Sequence, residues 1–327
     1  LKTMQSISKI FPFCAAALWI LPQSLQAVDI EGTFTSDSDF PVNVADPSFY
    51  TLNGEAYSGG IDSDTNITVN GVLSSVPSQS NILTAESSFT AGNFTCNLEL
   101  PASFWSKNVV YVSNNFSVEN FTLNLRESST THPNIVIYTG MNSTLNVRGD
   151  FLFSDTRSST RWYQTRLTFN GNGNVAIDGN LAIDSQISKP SPHALNCVNF
   201  DVAVQTFTVG GVLSLNNSNN NNNVFRTSPT SAGTFTRTLG GLQITQKGMI
   251  QLNGNVSAAN TTELIFTNSG TSEYIGGLLT RDANGELADN KLNVRMTASD
   301  SANGRQIMKF TPTQGWSLSN GDFSDSS

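Results

Sequence analysis

The chain has 327 residues and a formal net charge of −8, and only 13% of its residues are charged. This charged fraction is about half that of an ordinary soluble protein. An acidic chain without basic patches argues against nucleic acid and anionic membranes as partners, because both are bound by clustered Lys and Arg. A disordered chain is also excluded, because disorder combines few apolar residues with high net charge, and 38% of these residues are hydrophobic.

The first 27 residues have the pattern of a secretory signal peptide. Lys2 and Lys9 precede the apolar run Ile10–Leu21, and Ala27 supplies a small residue for cleavage. The apolar run is shorter than the roughly 20 residues that span a bilayer. The alternative is an N-terminal anchor that remains attached. Removal of residues 1–27 takes away two Lys and no acidic residue, so the net charge becomes −10. We expect a secreted or cell-surface protein with no membrane-spanning segment after the signal peptide.

Residues 28–60 differ from the pattern that follows them. Val28–Thr35 alternates apolar and polar residues as a strand does, and Pro41, Pro47 and Gly59 then interrupt regular structure. A repeat protein needs a cover over its terminal unit. We therefore predict an N-terminal cap over residues 28–60.

Residues 61–289 contain a recurring motif: two alternating apolar residues, a turn with Gly, and two more alternating apolar residues. It is clearest in Leu145–Phe153, Val175–Ile183 and Phe207–Leu215. Its glycines follow at intervals of 30, 32, 30 and 36 residues and are Gly149, Gly179, Gly211, Gly241 and Gly277. A motif at near-constant intervals indicates a repeat architecture.

Two degenerate copies lie upstream of these motifs. Ile67–Leu73 has Gly71 in the turn, and Val110–Val118 has Asn114 in the same slot. Asn tolerates positive φ better than other non-glycine residues, so we expect this replacement to be conformational.

A further short strand precedes many copies of the motif, for example Ile135–Tyr138 and Leu167–Phe169. Three strands and three turns in about 30 residues are the content of one β-solenoid coil. We predict an all-β fold, a single-stranded β-solenoid (parallel β-helix) with about 30–36 residues per coil over residues 61–289. Residues 290–327 would form a second cap or a tail. The alternative is one or two antiparallel β-sandwiches.

Short strand–Gly–strand repeats rich in Asn, Ser and Thr, such as Phe207–Leu215, follow the signal peptide over roughly residues 61–280. In this repeat style the chain resembles the β-solenoid passenger regions of bacterial autotransporters and related exported adhesins. The resemblance implies extracellular display, adhesion or scaffolding. It implies no catalytic residues, and we expect no C-terminal outer-membrane barrel in this chain.

Two cysteines, Cys96 and Cys197, remain after the signal peptide. In an exported protein they could form one disulfide. The alternative is a pair of buried thiols packed as small apolar side chains. The sequence leaves both open.

Carboxylates are the main candidates for catalysis. Cleavage of glycosidic bonds uses two acidic residues on either side of the scissile bond. The candidate pairs are Asp150 with Asp155 and Asp178 with Asp184. The alternative is that these residues are ordinary turn Asp at strand ends.

Asp62, Asp64 and Asn66 have the spacing that opens a Ca²⁺-binding loop, but Ile67 stands where the turn Gly would be. Asp282–Glu286 repeats this arrangement with the same defect. We predict no obligatory cofactor, with Ca²⁺ as a candidate ligand at Asp62, Asp64 and Asn66.

One basic and aromatic cluster could bind a sugar. Arg161, Trp162, Tyr163 and Arg166 could stack on a sugar ring and donate hydrogen bonds to its oxygens. The alternative is a loop whose aromatic residues cover the core. Two histidines, at turn-like positions 132 and 193, offer no triad.

These observations predict a secreted or cell-surface structural or adhesive protein without catalytic activity, whose partner is a polysaccharide or another extracellular surface. The alternatives are a polysaccharide lyase or glycoside hydrolase on a parallel β-helix, and a sugar-binding module.

Overall fold

The computed structural model describes residues 27–101, 104, 106–126, 134–157, 164–186, 196–217, 222–227, 233–252, 260–266, 273–279, 291–297, 305–311 and 315–319. Nearly all regular structure in these ranges is β-strand, and the helix found there is the single 3-10 turn Pro47–Phe49. No helix within these ranges has the length and hydropathy to cross a membrane.

The strands of the N-terminal half are β1 (Val28–Thr35), β2 (Val42–Asn43), β3 (Thr51–Leu52), β4 (Glu55–Ala56), β5 (Thr65–Val72), β6 (Asn81–Ala85), β7 (Phe89–Ala91), β8 (Phe94–Glu99), β9 (Ser106–Val112), β10 (Asn115–Val118), β11 (Phe121–Leu125), β12 (Asn134–Thr139), β13 (Thr144–Val147) and β14 (Phe151–Asp155). Those of the C-terminal half are β15 (Thr165–Gly171), β16 (Asn174–Ile177), β17 (Leu181–Ser185), β18 (Asn196–Ala203), β19 (Thr206–Asn217), β20 (Asn222–Thr227), β21 (Gly233–Leu252), β22 (Asn260–Phe266), β23 (Glu273–Leu279), β24 (Lys291–Thr297), β25 (Arg305–Thr311) and β26 (Gly315–Ser319).

Parallel pairing arranges these strands into three faces, which the chain visits in the order A, B, C from β5 onward. Face A stacks β1, β5, β8, β11, β14, β17, the end of β19 and the middle of β21. Face B stacks β2, β6, β9, β12, β15, β18, β20 and the end of β21. Face C stacks β7, β10, β13, β16, the starts of β19 and β21, β22 and β24. The predicted all-β parallel solenoid is confirmed.

The coil length differs along face A. Ile67 pairs with Phe94 and Phe94 with Phe121, which are steps of 27 residues, and Phe121 pairs with Phe151, a step of 30. The two coils between β5 and β11 are therefore shorter than the predicted 30–36 residues, whereas the step from Ile30 to Ile67 is 37 residues.

Two details of the predicted repeat alignment are wrong. Gly71 lies inside β5 rather than in a turn, and Asn114 lies at the corner between faces B and C, without the positive φ that we expected. At the C-terminal end, Gly241 pairs with Val212 and Gly277 with Met249. The spacing of the motif located the strands correctly. Where the coil length changes, however, it assigned strands to the wrong face.

Alternation with period two builds the core, because every second residue of a strand points inward. The resulting columns of apolar side chains run along the axis, and rings stack in them: Phe94 lies 5.1 Å from Phe121, which lies 4.7 Å from Phe151 between ring centroids. Such contacts between rings stabilise the core beyond the burial of apolar area.

The two ends of the stack depart from the parallel coil. Near the N-terminus, β1 already pairs with β5, and the β3–β4 hairpin packs antiparallel against β1. Near the C-terminus, β24, β25 and β26 form an antiparallel meander. The segments predicted as caps therefore contain both solenoid strands and antiparallel additions.

Candidate functional site

The corner between faces A and B carries the long connections of the solenoid. The segments 73–80, 100–105, 126–133, 156–164 and 186–195 contain six to ten residues each. The turns between faces C and A at residues 92–93, 119–120, 148–150 and 178–180 contain two or three. Connections between the strands of a regular scaffold are the usual carriers of binding function, so the A–B corner, which has the longest ones, is the candidate functional surface.

A buried network of four side chains, which we call the clamp, lies at the base of one of these loops. It consists of Asp155, Arg157, Thr165 and Ser185. Asp155 Oδ1 accepts from Arg157 Nε at 2.8 Å, and Oδ2 accepts from Arg157 Nη2 and from the Thr165 hydroxyl, both at 2.6 Å. Ser185 Oγ lies 2.7 Å from Thr165 Oγ1. Arg157 Nη2 also donates to the Gln164 carbonyl at 3.1 Å.

The clamp joins the two ends of the segment 158–163. Asp155 and Arg157 are 0% and 1% exposed, and they follow Phe151 and Phe153 in the same inward alternation. A charge in such a place requires a partner with good geometry, and the two-pronged guanidinium–carboxylate contact provides it. The chain therefore enters and leaves this loop from a fixed base.

Three of the four predicted sugar-binding residues, Arg161, Trp162 and Tyr163, lie outside the described residues. The clamp holds the residues that flank them on both sides. Arg166 lies on β15, half-buried, and pairs in register with Asn134 and Asn199 on the outer side of face B. The sugar-binding assignment stays a prediction.

The corner between faces C and A carries a ladder of side-chain hydrogen bonds, with one residue from each coil. Its members are Asp29, Asn66, Asn93, Asn120, Asp150 and Asn180, and it ends at the backbone N–H of Val212. The donor–acceptor distances within it are 2.7–3.1 Å. The ladder ties each coil to the next in addition to the backbone bonds of the sheets.

The ladder explains three glycines of the sequence motif, Gly149, Gly179 and Gly211. A Cβ added at Gly149 would lie 2.3 Å from Asn120 Oδ1, and one at Gly179 would lie 2.3 Å from Asp150 Oδ1. The described glycines with positive φ lie elsewhere in the chain. Glycine is required here because the ladder side chain of the preceding coil approaches the backbone. Close approach of another group, like positive φ, is a characteristic reason for glycine.

The predicted calcium ligands lie close in sequence but make different contacts. Asp62 Oδ1 accepts from the backbone N–H of Asp64 at 3.0 Å and from the Thr65 hydroxyl at 3.1 Å, so it closes a turn. Asn66 belongs to the ladder, where it donates to Asp29 at 2.8 Å. In the described part of the chain, no group of three or more His, Cys, Asp or Glu is placed to share a metal ion. The Ca²⁺ site stays a prediction, and Asp282–Glu286 lies outside the described residues.

The members of the two predicted acid pairs make different contacts. Asp155 belongs to the clamp in the interior, and Asp150 is a ladder acceptor at the C–A corner. Asp178 is in the exposed turn one coil further on, and Asp184, on the outer side of face A, accepts from Asn216 Nδ2 at 2.8 Å. Asp150, Asp155 and Asp184 thus each have a structural hydrogen-bond partner.

Cys96 is a free thiol within the core of face A, 0% exposed. Burial raises its pKa to about 12, which marks an inert, apolar use of the residue. The side chain of Cys197 and residues 132 and 193 lie outside what the structure describes.

Comparison of the chain with protein-family models, with curated proteins and with solved structures gives no match.

Sequence reasoning missed the clamp and the ladder. The clamp was visible as an inward alternation that continues from Phe153 to Asp155 and Arg157. The ladder was visible as Asn followed by an apolar residue and Thr at positions 66, 93 and 120. The same three triplets match the N-glycosylation pattern, and in the folded chain all three Asn side chains are engaged in the ladder.

Proposed function

We propose that the chain is an extracellular structural or adhesive rod that presents the A–B corner to a polysaccharide or another extracellular surface. The observation that carries this proposal is the clamp. It places four buried polar side chains at the base of a loop whose sequence is basic and aromatic.

The energetics of the clamp support a role in presentation. A buried ion pair adds little net stability over a well-packed apolar group of similar volume. Here, however, it fixes both ends of the segment 158–163 relative to the sheets. A binding loop on a fixed base loses less conformational entropy when its ligand binds.

The rest of the molecule supports a rod. Three continuous parallel sheets, apolar columns and the ladder each extend through successive coils. Elongated solenoids of this kind offer a long surface in which each coil contacts its neighbours. The signal-peptide pattern and the resemblance to exported adhesins both favour an extracellular location.

The test is retention of purified residues 28–327 on a panel of neutral and acidic polysaccharides, with sugar release measured in the same tubes, with and without Ca²⁺. We expect retention on at least one polysaccharide, lost in Trp162→Ala and Tyr163→Ala. The control is Met141→Ala, which removes an exposed apolar side chain (74% exposed) from the B–C corner and leaves retention unchanged.

A second variant tests the clamp itself. Thr165→Val removes the hydroxyl that bonds Asp155 and keeps a similar volume, so we expect weaker retention with the fold intact by circular dichroism. Retention that is absent on every surface, or equal in all variants, would contradict the proposal. Sugar release that disappears in Asp178→Asn or Asp184→Asn would favour the enzyme alternative.

A further inference from the structure

Arg237 occupies an interior position of face C. In register it lies between Phe207 of the preceding coil and Leu264 of the following one, and all three side chains are 0% exposed. A cation placed among apolar side chains has lost its hydration and needs compensation from protein groups or from a bound ion.

Backbone carbonyls satisfy only part of this guanidinium. Nη1 donates to the Gln205 carbonyl at 3.2 Å and to the Thr236 carbonyl at 3.1 Å, and Nη2 donates to the Val202 carbonyl at 3.2 Å. Since Arg has five N–H donors, two remain. One of these is Nε–H, which has no hydrogen-bond partner among the described residues.

The charge of Arg237 also lacks a carboxylate of its own. No described acidic side chain forms a salt bridge with it. Asp201 acts on it at longer range, but Asp201 lies opposite Arg226 in register, and its charge acts on that guanidinium as well. Burial lowers the pKa of Arg237 to about 10, so the side chain is protonated at neutral pH. The connecting segment 228–232 contains no acidic residue.

A second unpartnered donor lies at the corner between faces B and C, where β20 ends and the chain continues to β21. Thr227 is 0% exposed, and its hydroxyl has no hydrogen-bond partner among the described residues. It follows Phe225, whose ring stacks on Phe200 in the core, by two residues and therefore points to the same interior. Thr227 pairs in register with Val202, the residue whose carbonyl binds Arg237. Neighbouring strands are about 4.8 Å apart, so the hydroxyl and the guanidinium belong to one buried neighbourhood.

We propose that this corner binds a small monovalent anion of halide size through Arg237 Nε–H and the Thr227 hydroxyl. The Nε–H group can only donate and the Thr227 hydroxyl can donate as well as accept, so one acceptor placed between them satisfies both. Phe207, opposite Arg237 in register, and Leu239, two residues further along the strand, are fully buried and apolar, and the Phe235 ring centroid lies 5.7 Å from Arg237 Cζ. Apolar surroundings favour a small ion with one charge over a larger polyanion. This assignment does not depend on the adhesive role of the A–B corner.

The experiment compares urea unfolding of residues 28–327 in sodium chloride, sodium bromide and sodium gluconate at one fixed ionic strength. We expect the unfolding midpoint to rise with chloride or bromide along a saturating curve, as for any ligand that binds only the folded state. Arg237→Met abolishes this dependence. Thr227→Val weakens the apparent chloride affinity by about tenfold or more, because a hydrogen bond to a charged group is removed.

The control is Arg126→Met, which removes an exposed guanidinium at the end of β11 and leaves the chloride dependence intact. A bromide soak of crystals then shows an anomalous peak within hydrogen-bond distance of both donors. Equal midpoints in chloride and gluconate, or an equal loss of dependence in Arg126→Met, would overturn the proposal. The absence of the bromide peak would show that water completes this corner instead.

Discussion

Asn120 is the ladder residue whose removal tests most directly whether side chains hold the coils together. Its Nδ2 donates to Asn93 Oδ1 at 2.8 Å, and its Oδ1 accepts from the backbone N–H of Asp150 at 2.8 Å. Asn120→Ala removes both bonds. Each is worth about 0.5–1.5 kcal/mol net. Because Asn93 and Asp150 are exposed and water can replace part of the loss, we expect destabilisation by about 1–2 kcal/mol.

Two further variants are needed for comparison. The first controls for the loss of an amide side chain, and the second tests whether the charge of Asp150 contributes to the ladder. Asn115→Ala removes an exposed amide on face C that makes no hydrogen bond among the described residues, so we expect a change within about 0.5 kcal/mol. Asp150→Asn keeps the Oδ1 acceptor used by Asn180 and should leave stability nearly unchanged.

The assay combines urea unfolding with hydrogen exchange, because a solenoid can open coil by coil and a single midpoint would miss local opening. In Asn120→Ala the amide of Asp150 should exchange faster than in the parent protein, while amides in distant coils keep their rates. The same stability as Asn115→Ala, together with an unchanged exchange rate at Asp150, would refute the idea that the ladder stabilises the stack.

Two further predictions concern the turn glycines and the buried thiol. Gly179→Ala places a Cβ 2.3 Å from Asp150 Oδ1 and 2.6 Å from a backbone carbonyl, so we expect a loss of about 1–3 kcal/mol in urea unfolding. Gly60→Ala, where nothing lies within 4 Å, should have little effect, and equal effects in the two variants would contradict the close-approach explanation. The unfolded thiol of Cys96 ionises near its ordinary pKa of 9.0, whereas the folded one stays protonated to about 12. The contribution of the buried, protonated thiol to the free energy of unfolding is therefore complete below pH 9 and is lost between pH 9 and 12. The unfolding midpoint of the parent chain should fall more steeply than that of Cys96→Ala across this window, and parallel pH profiles would refute the assignment.

Period-two alternation was sufficient to predict the strands, because strand residues face the core or the solvent by position alone. It was also sufficient to predict a solenoid, since three strands and three turns recur in about 30 residues. It did not determine the pairing of coils. The steps of 27 residues at Phe94 and Phe121 differ from the later steps of about 30, and spacing alone cannot show which corner has absorbed the difference.

The buried polar and charged residues of the interior were also not predicted from the sequence. Phe235, Arg237 and Leu239 alternate as inward residues do, and so do Phe153 and Asp155. A sequence pattern treats a charged residue as facing solvent, because burial of an unpaired charge is unfavourable. Only the three-dimensional arrangement shows the carbonyls and hydroxyls that make these exceptions tolerable.

The ladder accounts for the short turns of the C–A corner, which contain two or three residues each, whereas the A–B segments contain six to ten. At the C–A corner a ladder side chain occupies the space of a Cβ at Gly149 and Gly179 and also accepts a backbone N–H of the next coil. An inserted residue there must keep both the hydrogen bond and the close approach, as the three-residue turn 148–150 does beside the two-residue turn 119–120. At the A–B corner no such continuous column ties one loop to the next among the described residues, and the clamp secures a single loop at its base. Loop closure itself becomes only slowly less favourable with length. The long connections therefore lie at the A–B corner, while the ladder keeps successive coils in register at the C–A corner.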